Sequence, residues 1–166
     1  MRAVAGALAT VVFCSLTSLA QTAQTPPDGN TVCTFEDGKQ VSVRYPEVPY
    51  GKSKLPNGKV WEPADRPMYL FTQTDLQLGA QAVPPGAYSL YPVPGDQQWT
   101  LVVNKEVEKG KPYDASKDLA KIPAQTGELP NPANALTLYF GRIGPKKCTL
   151  RIDYGKQRAF ADLAEK

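Results

Sequence analysis

The chain has 166 residues, 19 basic and 16 acidic side chains, a net charge of +3 and no histidine. The lack of histidine excludes Ser-His-Asp and Cys-His nucleophilic systems and every histidine-ligated metal site. The balanced charge argues against nucleic acid as a partner, which calls for clustered lysine and arginine.

The chain opens as an export leader. Arg2 is a short positive region, Ala3 to Leu16 is uncharged and apolar, and Ser18-Leu19-Ala20 puts small residues at the −3 and −1 positions of a cleavage site. The apolar run is too short to span a bilayer, which takes about twenty residues. Cys14 follows Phe13 inside the run, so it cannot become a lipidated N-terminus. The expected organisation is a signal peptide over 1–20, a disordered polar lead-in over 21–30 and one domain over 31–166. No later segment reads as transmembrane. Cleavage removes Arg2 alone among the charges, which leaves +2. A domain of this length buries roughly 68–70% of its unfolded surface, enough for a core without metal staples.

The spacing then predicts strands. Cys33 and Phe35 alternate before Glu36-Asp37-Gly38-Lys39, and Val41, Val43 and Tyr45 alternate after it. Asp-Gly there predicts a hairpin with a type I′ turn. Pro46 to Pro67 is proline-rich and irregular, with Trp61 its only large aromatic after Tyr50. Strands follow at Met68–Thr72, Leu76–Leu78 and Ala82-Val83. Ala82 to Lys105 reads as a strand pair, with Tyr88 and Leu90 alternating before the Pro94-Gly95-Asp96 break and Trp99, Leu101 and Val103 after it. A lysine-rich loop, Asn104 to Lys117, leads to a short run through Leu119 and Ile122. Leu129 to Asn134 reads as another loop. Leu136, Leu138 and Phe140 alternate next, Gly141 to Lys147 turns, and Cys148, Leu150, Ile152 and Tyr154 alternate after it. Ala159-Phe160 closes the series. Eight or nine short strands with no sustained helical period predict an all-β, single-domain antiparallel β-sandwich.

Loss of the leader leaves two cysteines, Cys33 and Cys148, in an oxidising compartment, where pairing is the usual outcome. Both fall on the apolar parity of their strands. A bond between them would close nearly the whole domain, worth on the order of 4–5 kcal/mol on the chain-entropy account.

Candidate chemistry is sparse. Gly51-Lys52-Ser53 mimics the end of a phosphate loop, but the pattern needs glycine where Pro46 stands. Glu62 with Asp65 and Asp114 with Asp118 are the nearest carboxylate pairs, and their spacing reads as solvated loop charge rather than a glycosidase pair. Lys105, Lys109, Lys111 and Lys117 interleave with Glu106, Glu108 and Asp114 as in an ordinary solvated loop. Trp61, Tyr91, Trp99 and Tyr113 are candidates for an aromatic binding face, although Trp99 shares the core parity of Leu101 and Val103. The mix of aromatic, acids and arginine in Trp61, Glu62, Asp65 and Arg66 makes this loop the candidate ligand site. No catalytic residue, metal or cofactor is expected.

The order CTFEDGKQVSVRY, VPYGK, GKVW, VPPGAYSLYPVP, QWTLVVNK and CTLRIDY resembles the bacterial family called domain of unknown function 2911, over roughly Val32 to Phe160. The resemblance implies an exported β-sandwich and leaves the role open. Family members usually follow the tryptophan with a polar run like Arg-Thr-Gly-Ala-Asn-Glu-Ala-Thr. Here Glu62-Pro63-Ala64-Asp65-Arg66-Pro67 stands instead, and its two prolines change the hydrogen bonds the loop can make. The expected function is a non-catalytic binding domain for an envelope protein or small ligand, acting as a periplasmic or secreted monomer. The alternatives are a cell-envelope hydrolase using carboxylates near Trp61, and a carbohydrate-binding module, which needs its aromatics coplanar and exposed.

Overall fold

The computed structural model describes residues 27–166. The signal-peptide expectation over 1–20 lies outside the described residues. Nine strands run β1 (Asp28–Thr34), β2 (Gln40–Pro46), β3 (Met68–Thr72), β4 (Leu76–Leu78), β5 (Gln81–Val83), β6 (Gly86–Val93), β7 (Trp99–Asn104), β8 (Asp118–Gly144) and β9 (Lys147–Glu165). Their lateral order is β1-β2-β3-β6-β7-β8-β9-β4-β5, and every neighbouring pair is antiparallel. No α-helix occurs among the described residues, and none of their helices is long and apolar enough to cross a membrane.

Register places the core. Val43, Leu70 and Tyr88 lie in one cross-strand row, and Met68, Leu90, Val103 and Ala120 in another. These side chains are buried and face Leu138, Leu150, Ile152, Ala161 and Leu163 of the β8–β9 half. The period-two alternation is therefore the inner face of an antiparallel sandwich.

Three details depart from the expectation. First, β8 and β9 are not short. They run 27 and 19 residues and absorb the segments expected as separate strands, together with the Leu129–Asn134 loop and the Ala159-Phe160 strand. Their register slips between Glu128 and Ala133 and again before Thr137, so Pro130 and Pro132 sit where the ladder has no bond to lose. Second, β1 begins at Asp28, inside the expected lead-in, because Asp28 and Gly29 pair with Pro46 and Tyr45. The Tyr45 ring lies over Gly29, and any Cβ there would collide with it. Third, the Asp37-Gly38 turn is not type I′. Gly38 alone is left-handed, with φ of 87°, and Phe35 N–H donates to Lys39 C=O at 2.9 Å, which makes a longer hairpin loop.

Cys33 on β1 and Cys148 on β9 lie at disulfide distance, with Cα atoms 6.6 Å apart at a sequence separation of 115. The pair ties the first strand to the far half of the sandwich.

Candidate functional site

The side chain of Trp61 points away from its loop. The indole is 2% exposed and meets Trp99 edge-on at 6.3 Å and Tyr154 at 5.1 Å. Its Nε1–H donates to Ser53 Oγ at 2.8 Å, and its backbone N–H donates to Pro92 C=O at 2.8 Å. The Tyr154 hydroxyl donates to Ser53 C=O at 2.7 Å, which locks the 49–61 segment to β9. Trp61 thus anchors the loop from below.

The residues after Trp61 turn outward. Pro63–Asp65 forms a single 3-10 turn in which Ala64 and Asp65 take φ of 57° and 54°. They are the only left-handed non-glycine residues among those described. Such conformations cost on the order of 1–3 kcal/mol each and concentrate at binding sites. The turn presents Glu62, Asp65 and Arg66 to a groove of about 390 Å³ lined also by Asp28, Arg44, Tyr69, Lys109 and Lys111. Three of the four residues expected as a site are brought together, and Trp61 is not among the groove's lining.

Register explains the rest of the groove. Asn30, Arg44, Tyr69, Ser89 and Asn104 form one row across β1, β2, β3, β6 and β7 on the outer face of the sheet. The lysine-rich loop folds back over the β6–β7 end of that face and buries Ser89, Tyr91 and Asn104. Its grip is specific. Ser89 Oγ–H donates to Glu106 C=O at 2.6 Å, and Asn104 Nδ2 donates to Asp114 C=O and Asp118 Oδ1, both at 2.8 Å. The Tyr113 ring stacks edge-on to Tyr91 at 5.0 Å, and its hydroxyl donates to Asp118 Oδ2 at 2.7 Å. Burial, then that carboxylate, push the Tyr113 phenol far above its usual range, so it stays a donor. The loop stops short of β2 and β3. Arg44 and Tyr69 floor the groove and Lys109 to Pro112 form one wall.

The lysine-rich segment keeps its charges solvated as expected, with Lys105, Lys109, Lys111 and Lys117 all exposed, and it also covers the outer face of β6 and β7. Asp114 and Asp118 do not form a free acid pair. Asp114 Oδ1 caps Ser116 N–H at 2.9 Å, and Asp118 holds Asn104, Tyr113 and, at 3.2 Å, the Lys121 ammonium. Lys117 pairs with Glu106. Nor do the aromatics make an exposed platform, since Tyr91 and Trp99 are each 1% exposed.

Electrostatics distinguish the groove's charges. Arg66 Nη2 pairs with Asp28 at 2.5 Å and pins the turn to β1. Lys111 lies 3.8 Å from Glu108, an exposed and weak pair. Arg44 rests on the Phe71 ring at 5.9 Å, and neither it nor Lys109 has a carboxylate partner among the described residues. Glu62 and Asp65 likewise have no ion pair there. Burial, then the charge of Asp65, raise the Glu62 carboxyl above its ordinary range. No group of three or more potential metal ligands occurs among the described residues.

Residues 29–162 match the family described as Protein of unknown function (DUF2911). The chain belongs to that family. No curated protein and no solved structure gives a match.

In this DUF2911 chain the raised Glu62 carboxyl makes a testable statement. The folded state holds the Glu62 proton to higher pH than the unfolded chain does, so ionising it costs stability as pH rises through that window. Below the ordinary carboxylate range both states are protonated and the cost is absent. Glu62→Gln is expected to raise the melting temperature at neutral pH by roughly 1–3 °C, a small effect because the group is partly solvated. The gain should disappear in acid. Paired melts across pH check this, and a variant less stable at neutral pH, or equally stabilised in acid, sinks it.

Proposed function

We propose that this protein is an exported, non-catalytic binding domain whose ligand seats in the groove between the lysine-rich cover and the β2–β3 face. The observation that supports it most is the gathering of Glu62, Asp65 and Arg66 with Arg44, Tyr69, Lys109 and Lys111 around one concavity of about 390 Å³. That size lies at the small end of ligand pockets. The rigid sandwich beneath it and the strained turn beside it fit a site held in shape before its ligand arrives. The two cysteines and the leader-like sequence of residues 1–20 support export.

The test uses the mature protein, with Gln21 expected at its N-terminus by mass spectrometry. Thermal shift against a library of small charged metabolites should give hits that Arg44→Gln and Asp65→Asn abolish. Asp96→Asn, at a separate concavity lined by Asn57, Thr126 and Glu128, should leave them intact. Hits that ignore the groove variants, or respond equally to Asp96→Asn, overturn the reading.

A second reading, a carboxylate hydrolase, is favoured by one observation, the closeness of Asp65 to Glu62, whose carboxyl burial and that neighbouring charge hold above its ordinary range. Hydrolysis of a glycoside, ester or peptide panel that Glu62→Gln abolishes would establish it and displace the binding reading.

A further inference from the structure

The groove's charges specify the ligand class. Among the described residues, Arg44 and Lys109 are cations without a carboxylate partner, and Glu62 and Asp65 are carboxylates without a cationic one. All four line the same groove, yet none approaches one of opposite sign within 4 Å. Binding any ligand strips water from all of them. A simple anion would satisfy Arg44 and Lys109 but leave Glu62 and Asp65 desolvated and repelled. A simple cation would do the reverse. Only a molecule bearing both signs offsets both losses.

The chemistry narrows this further. Arg44 offers a planar fork of donors, which matches a planar carboxylate. Glu62 and Asp65 offer only acceptors, which match the three N–H donors of an ammonium. A quaternary ammonium carries no N–H and is held by aromatic cages, whereas Tyr69 is the sole aromatic lining this groove among the described residues. The volume of about 390 Å³ suits a short molecule, and two extended residues reach at most about 7 Å.

We propose that the groove binds a small zwitterion, an amino acid or dipeptide with both termini free, its carboxylate held by Arg44 and Lys109 and its ammonium by Glu62 and Asp65. The proposal rests on the groove being the binding site. Tyr69 and Pro67 also line the groove and carry no charge with which to select that of a ligand side chain.

Equilibrium dialysis of the full mature chain against a mixture of free amino acids and a random dipeptide library, read by mass spectrometry, tests it. The same library is presented N-acetylated and, separately, C-amidated. Free dipeptides or amino acids should be retained, and blocking either end should lower retention of the same sequences at least tenfold. Arg44→Gln should erase the discrimination against the amide while keeping that against the acetyl form. Asp65→Asn should do the opposite. Lys109→Ala, on the exposed cover, stands in for Arg44→Gln should that variant melt early. Absence of retention by the wild-type chain, or equal retention of blocked and free forms, overturns the proposal. If metabolite hits still depend on Arg44 and Asp65 in that case, the groove stands and only the ligand class falls. If nothing depends on them, both readings fall.

Discussion

Trp61→Ala should destabilise the fold by about 3–5 kcal/mol, the range for truncating a buried aromatic to alanine. For a domain of this size that is a fall in melting temperature of roughly 10–15 °C. The indole fills the space between Trp99 and Tyr154, and its loss also orphans the Ser53 hydroxyl. Deleting the ring frees the segment that carries Glu62 and Asp65, so ligand capture should fall with stability and not independently of it. Trp61→Phe, which keeps most of the ring volume but not the N–H, should lose appreciably less. Calorimetric melts of both variants decide the matter. A Trp61→Ala protein that melts with the wild type would contradict the packing.

Cys33→Ser is the second large effect. The bond closes a loop between ends separated by 115 positions in sequence, and the chain-entropy account gives about 4–5 kcal/mol for a closure of that length. Native disulfides of small exported domains are typically worth about 2–5 kcal/mol, so the melting temperature should fall by roughly 8–15 °C. Secondary structure should persist at low temperature, because β1 keeps its ladder to β2 and the Phe140 N–H bond to Thr31 Oγ at 3.0 Å. The double replacement at Cys33 and Cys148 should match the single one, since the two thiols act only together. Counting thiols in the denatured, unreduced wild-type chain should return none from this pair. Two thiols would refute the bond.

The candidate site was legible in part. Three groove residues, Glu62, Asp65 and Arg66, stand within five positions, and their mixed charge in a proline-rich loop marks them without any structure. Arg44, Tyr69 and Lys109 carried no such signal. Arg44 reads as an ordinary outward residue between Val43 and Tyr45, and Lys109 as solvated loop charge. One cue was available. Tyr91 and Ser89 share the outward parity of β6, and a tyrosine expected to face water beside a long tethered loop hints that the loop covers it. Trp61 misled in the other direction, because a lone tryptophan among prolines and charges looks exposed whichever way its ring turns.

The sequence alone determined the strands from β2 to β7, their buried parity, the approach of Cys33 and Cys148 and the family, because a two-residue period with turn residues between is written in neighbouring positions. Only the tertiary structure decided that β8 and β9 are continuous, that the lysine-rich loop is a cover, and that Trp61 lies beneath its own loop. Each of these depends on contacts between residues far apart in the chain. Two prolines can break a strand or sit at a register slip, and which occurs is settled by whether β9 supplies a partner on either side of them. A loop can keep its charges solvated while its other groups cover a sheet face, and here that face is the outer row of β6 and β7.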